Sequence, residues 1–231
     1  MFYYLGAKRT IAHLYPKPKF SKIFEPFAGT AAYALKYFDR EVVLVDKYEI
    51  IINVWKYLQQ SSEKDILSLP ELKTYDSLND HKLSETEKQF MGFIIADGLE
   101  SPRINVSKFG NRHNDKVARR LKRISKELFK IRHWNFVHGD YQCLANVEVT
   151  YFIDPPYVKG GQDYIHSNKF INYQELAEWC QTRNGQVIVC ENSSSENWLP
   201  FIDLCNFSGS FHKTKEVFWT NEKVEYQSSL F

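Results

Sequence analysis

Cysteine is scarce. Four residues among 231 (Cys143, Cys180, Cys190 and Cys205) are widely spaced and form no CxxC pair. That argues against a structural zinc site and against a disulfide framework, and no metal is expected. Long apolar runs are also missing: none approaches the ~20 residues needed to cross a membrane, so no membrane partner is expected. The first sixteen residues are interrupted by Lys8, Arg9 and His13 and lack the apolar stretch of a signal peptide. A reducing cytoplasm is the expected compartment. Repeats, low-complexity tracts and a full GxGxxG are absent. Net charge is small, at +2.

What is present is ordinary for a globular protein with a real core: 43% hydrophobic and 25% charged residues, with aromatics high at 16%. Aromatic rings serve a core as readily as they stack on bases. The charge is unevenly placed. Between Arg103 and Arg132 there are eleven Lys and Arg against two acids, a local +9, while the remainder carries 19 basic and 26 acidic residues, or −7. A concentrated basic segment on a mildly acidic body points to a polyanionic partner, although a solvated helix face gives the same pattern.

The first third alternates strand and helix signals. Lys22 to Glu25 reads as a strand, Pro26 to Gly29 as a turn and Thr30 to Phe38 as a helix; Val42 to Val45 is a buried strand ending in Asp46, and Ile50 to Gln59 is helical. This is a βαβ unit, which implies a parallel sheet with right-handed crossovers. Residues 61–96 are polar and helix-prone, with Ser84 and Glu87 spaced as a capping box. Asp97 to Asn114 reads as a loop. Asp115 to Ile131 predicts an amphipathic helix, with Val117, Leu121, Ile124 and Leu128 on one side and Lys116, Arg119, Arg120, Lys122 and Arg123 on the other. Alternation resumes with strands at Asn135 to Val137 and Val149 to Ile153, a helix from Tyr173 to Arg183 and a strand from Gln186 to Cys190. A closing strand or hairpin is expected around Phe211 and Glu216 to Thr220.

Open α/β sheets bind ligands at the C-terminal ends of their strands, and four strand ends here carry distinctive residues. Gly29, in Phe24-Glu25-Pro26-Phe27-Ala28-Gly29-Thr30, lets a ligand approach the backbone, as does many an ordinary loop glycine. Asp46 follows roughly twenty residues on, where an acid accepts hydrogen bonds from ribose hydroxyls or caps the next helix; paired with the glycine turn, binding is favoured. Asp140, in Gly139-Asp140-Tyr141, accepts from an adenine amine or caps a turn. The fourth end is Tyr151-Phe152-Ile153-Asp154-Pro155-Pro156-Tyr157. A buried strand delivers a carboxylate, two prolines that cannot donate but still accept, and an aromatic ring. That set suits a planar NH2 group, with two hydrogens to give and a π-face to stack.

These residues resemble the Dam-like (D12 class) DNA adenine-N6 methyltransferases. Asp154-Pro155-Pro156-Tyr157 matches the catalytic motif, Phe24 to Gly29 resembles the cofactor loop, Tyr4-Leu5-Gly6-Ala7-Lys8 resembles the N-terminal aromatic-x-Gly-x-Lys element, and Val45-Asp46 matches the ribose-binding acid. The loop departs from the pattern in having one glycine where relatives often have two or three. The resemblance implies a Rossmann-like doubly wound α/β methyltransferase sheet with an inserted, mainly helical target-recognition region. Residues 1–60 and 134–231 would form the catalytic domain, holding its cofactor-binding and catalytic-motif parts, and 61–133 the insert. It also implies S-adenosylmethionine as cofactor, contacted by Tyr4, Lys8, Glu25, Phe27, Gly29, Asp46, Asp140 and Asp154, with double-stranded DNA as partner. Asp154, Pro155, Pro156 and Tyr157 would be catalytic, with Tyr157 stacking on an extruded base and Gly160-Gly161 with Tyr164 forming a flap over it, or, for the two glycines, a solvent loop. Arg103, Lys108, Arg112, Lys116, Arg119, Arg120, Lys122 and Arg123 are the expected DNA contacts, and a monomer or weak dimer is the expected assembly. Other planar amines (cytosine N4, RNA adenine, a protein glutamine) are the alternative substrates, and a catalytically dead DNA-binding protein is the alternative class.

Overall fold

A computed structural model of the chain describes residues 1–96, 98–107, 114–194, 198–208 and 213–223. Seven strands form one sheet: β1 (Lys22–Pro26), β2 (Glu41–Asp46), β3 (Asn135–His138), β4 (Thr150–Ile153), β5 (Gln186–Asn192), β6 (Ile202–Ser208) and β7 (Lys213–Thr220). Their spatial order is β3-β2-β1-β4-β5-β7-β6. The first five run parallel, and β7 pairs antiparallel with both β5 and β6. A seven-stranded, mostly parallel sheet of this kind is consistent with a methyltransferase fold. β4 and β5 are buried along their whole length, as parallel strands covered on both faces must be.

Among the described residues six α-helices accompany the sheet: α1 (Ala32–Lys36), α2 (Glu49–Gln60), α3 (Glu63–Leu67), α4 (Glu85–Ala96), α5 (Asn114–Glu127) and α6 (Tyr173–Gln181). Alternation along the strands sends side chains to two cores. Ile23, Leu44, Phe152 and Ile188 face one core with Phe2, Trp55 and Leu58 of α2. Phe24, Val45, Tyr151 and Val187 face the other with Leu176, Ala177 and Cys180 of α6.

The region from 61 to 133 adds to the first core. Ile66 of α3, Phe90, Phe93 and Ile94 of α4, and Val117, Leu121 and Ile124 of α5 pack with Phe2 and Trp55. The Ser84 capping box is present: Ser84 Oγ accepts from the Glu87 amide at 3.3 Å, and Glu87 Oε2 accepts from the Ser84 amide at 2.8 Å. A second box, at Ser62 and Asp65, starts α3.

Two expectations need correction. The helix expected from Thr30 begins only at Ala32, because Phe27, Gly29 and Ala31 all take left-handed backbone angles (φ 61°, 43° and 47°) that keep the chain out of the helix. Arg120, expected on the solvated side of α5, is 5% exposed. Its guanidinium lies 3.8 Å from the centre of the Tyr3 ring and donates to the Ile94 carbonyl at 2.6 Å.

Candidate active site

The order of strands reverses between β1 and β4, and a ligand crevice is expected there, beyond the carboxyl ends of the strands. A cavity of about 270 Å³ lies at that place. The turn after β1 enters it as a close-packed arch. The Ala28 amide donates to the Val45 carbonyl at 3.1 Å, and the Gly29 carbonyl accepts from Trp55 Nε1 at 2.9 Å. A Cβ at Gly29 would stand 3.3 Å from the Tyr4 ring, at a φ that L-residues rarely adopt. The Phe27 ring stacks on Tyr141, with centroids 5.8 Å apart. Left-handed non-glycine residues cost of order 1 kcal/mol each and collect where a ligand demands the backbone shape. Phe27 and Ala31 are two of them.

Asp46 ends β2 on the floor of this arch. Its Oδ2 accepts from the Gly29 amide at 3.0 Å and its Oδ1 from the Tyr48 amide at 2.8 Å. One carboxylate thus ties the β1 turn to the β2 turn. Burial pushes the Asp46 carboxyl up to about 6, against the opposing pull of those two backbone bonds. Asp140, after β3, caps the next turn through the Gln142 amide at 3.5 Å and pairs with Lys47 Nζ at 3.0 Å. Of the two sequence readings of Asp140, the turn cap is observed, and Asp140 also lines the cavity.

At the other end, Asp154 follows directly on β4. Lys8 Nζ lies 3.1 Å from Asp154 Oδ1 and 3.6 Å from Glu216 Oε1, so one buried ammonium bridges two carboxylates. Burial raises the Asp154 carboxyl above its usual range, with Lys8 pulling the other way. Burial alone would lower the Lys8 ammonium, but Asp154 and Glu216 more than offset it, and the net shift is upward. Glu25, also buried, accepts from the Ala34 amide at 2.9 Å and is held well above the carboxylate range by burial.

Of the residues singled out by sequence, Tyr4, Lys8, Glu25, Phe27, Gly29, Asp46, Asp140, Asp154 and Pro156 line this one cavity. Pro155 and Tyr157 do not. The Tyr157 ring lies beneath Lys8, with Nζ 4.6 Å from its centroid, and its hydroxyl donates to Glu216. Tyr164 does line the cavity, edge-on to Tyr4 and packed so closely on Gly6 that a Cβ there would overlap its hydroxyl. Gly160 stands in open space, whereas Gly161 is packed against Pro156. On α5, Arg119, Lys122 and Arg123 are exposed and Lys116 is half-buried, while Arg103 is exposed on the loop before it. Lys108 and Arg112 lie outside the described residues.

Sequence reasoning missed Glu216, Ile171 and Asn172. Ile171 and Asn172 line the cavity, and Asn172 also caps α6 through the Glu175 amide. The signal for Glu216 was its place two residues before Phe218, which puts both on the core-facing side of β7. Among the described residues no group of three or more His, Cys, Asp or Glu is placed to hold a metal, and no helix is long and apolar enough to cross a membrane.

The sheet, with a cavity at its switch point, is consistent with a methyltransferase fold. Residues 4–94 match the family of D12 class N6 adenine-specific DNA methyltransferases. The matched span takes in Tyr4, Lys8, the turn from Glu25 to Gly29, and Asp46, so the resemblance read from those motifs holds over that part of the chain. The match supports an adenine-N6 DNA methyltransferase in general. No match is found among curated proteins.

Proposed function

We propose that the chain transfers a methyl group from S-adenosylmethionine to N6 of adenine in double-stranded DNA, on a base turned out of the helix. One observation carries this reading: Asp46 and Asp154, at the ends of two strands, line the same cavity. A nucleoside ribose on the Asp46 carboxylate and an amine on the Asp154 carboxylate then share one enclosure.

The residues present fit the cofactor. Gly29 leaves room that a side chain would fill, Asp46 is an acceptor suited to ribose hydroxyls, and Asp140, Ile171 and Asn172 line the cavity near it. When bound, the cofactor supplies an electrophilic methyl on a positively charged sulfur. The protein's task is to present the nucleophile. The N6 lone pair is conjugated with the purine ring, and acceptance of an N6 hydrogen by Asp154 favours a pyramidal nitrogen; the Pro155 carbonyl, outside the cavity lining, is left out of this role. This is preorganised electrostatics aimed at charge that develops in the transition state, together with positioning.

N6 is inaccessible to such a site inside a duplex, so the base must be extruded at a cost of a few kcal/mol. Tyr164, in the cavity lining, offers such a base a ring; the Tyr157 face becomes available when Lys8 moves off it. Region 61–133 serves as the target-recognition insert. Its exposed Arg103, Arg119, Lys122 and Arg123 supply phosphate contacts, with Lys116 beside them. Labelled cofactor offered with unmethylated duplex DNA, RNA and protein tests the substrate class. Incorporation into DNA is expected, and incorporation only into RNA or protein would overturn the reading.

A further inference from the structure

Lys8 holds one oxygen of the carboxylate proposed to accept the amine. Its ammonium occupies Asp154 Oδ1 at 3.1 Å and covers the face of Tyr157 at 4.6 Å. An amine that takes Oδ1, or a base that stacks on Tyr157, therefore displaces a buried cation, and a buried cation without a partner is costly. A second acceptor stands within reach. Glu216, on β7 and 4% exposed, has Oε1 at 3.6 Å from the same ammonium. Oε1 also accepts from Tyr15 Oη at 2.8 Å and from Tyr157 Oη, which leaves Oε2 with no partner among the described residues. Asp154 and Lys8 line the cavity, whereas Glu216, Tyr15 and Tyr157 stand outside its lining.

We propose that Glu216 is a positioning residue: it is the seat behind the cavity wall to which Lys8 moves when the target amine takes Asp154. The move costs little, because the ammonium passes from one buried carboxylate to another without crossing a stretch that offers neither. It empties the amine's place and uncovers the Tyr157 ring in one step. Tyr15 and Tyr157 fix the Glu216 carboxylate, so the seat is present before the base arrives. The proposal rests on the methyltransferase reading above.

A double-mutant cycle between Glu216 and Lys8 tests it, read as the single-turnover rate of methyl transfer to duplex DNA. Glu216→Gln keeps acceptors for both tyrosine hydroxyls but removes the charge, and so strands Lys8 on Asp154. It is expected to slow transfer about tenfold or more while the Kd for S-adenosylmethionine stays within about threefold. In a Lys8→Met background, where there is no cation to relocate, the same substitution is expected to cost no more than about twofold. Glu216→Asp, which keeps the charge, should restore most of the rate and serves as the comparison if Glu216→Gln proves poorly folded. An equal loss in both backgrounds would make Glu216 a structural support only, and a wild-type rate in Glu216→Gln would remove it from the reaction; either overturns the proposal and leaves the methyltransferase reading standing. A wild-type protein without turnover on DNA overturns that reading, and this one with it.

Discussion

Lys8 Nζ and Asp154 Oδ1 lie 3.1 Å apart with both side chains largely withdrawn from solvent. The Asp154 carboxylate, proposed to accept an amine hydrogen, has one oxygen engaged by a cation from the N-terminal segment. Chemistry at this site is thus coupled to an element some 150 positions away in the chain, and the Asp154 substitution becomes the natural first test.

Asp154→Ala removes the acceptor that fixes the amine and leaves the basic surface of α5 untouched. The turnover number should fall by about 10²-fold or more, the scale on which single transition-state hydrogen-bonding groups act. DNA affinity, measured by filter binding, should change little. Near-normal turnover would contradict the role given to this carboxylate.

Asp46 titrates near 6 because burial disfavours its charge. A raised carboxyl pKa means that the folded state holds the proton between the unfolded carboxylate value and about 6. Stability attributable to this group is therefore gained as pH falls through about 6 and given up as pH rises through it. Binding runs the other way, since ribose hydroxyls need the ionised acceptor. S-adenosylmethionine affinity by calorimetry should be level above about pH 7 and weaken by roughly tenfold per pH unit below the pKa. Asp46→Asn should bind weakly and lose that pH dependence.

Gly29→Ala places a methyl group 3.3 Å from the Tyr4 ring at φ +43°. The left-handed backbone alone costs an L-residue roughly 1–2 kcal/mol. Thermal unfolding should show a loss of that size, accompanied by weaker cofactor binding. An unchanged midpoint and Kd would show that the turn tolerates a side chain.

The basic helix separates into two classes of arginine. Arg119→Glu and Arg123→Glu should weaken DNA binding at moderate salt and flatten its salt dependence, with little effect on folding. Arg120→Ala should instead destabilise the protein by about 1–3 kcal/mol, because the buried Ile94 carbonyl loses its donor and Tyr3 its stacked guanidinium. Urea unfolding monitored beside DNA titrations distinguishes them.

The strands and the two acids at their ends were legible because buried parallel strands write themselves as unbroken apolar runs, and an acid closing such a run stands out. Val42 to Asp46 and Tyr151 to Asp154 are both of this kind. Arg120 was less legible. Three residues after Val117, it lies roughly 60° from it around the helix, on the flank of the apolar stripe, where a long side chain can bury its stem. The delay of α1 depended on Phe27 and Ala31 adopting angles that local propensity assigns to glycine. Glu216 was hidden for another reason: its partners Lys8, Tyr15 and Tyr157 are joined to it only by the closing of the sheet.

The most direct test of the shared Asp46–Asp154 cavity is nucleoside analysis of unmethylated duplex DNA after reaction with methyl-labelled S-adenosylmethionine. Label in N6-methyldeoxyadenosine, lost with Asp154→Ala, is the expected result. Label in N4-methyldeoxycytidine, or undiminished label with the Asp154→Ala protein, would contradict the account.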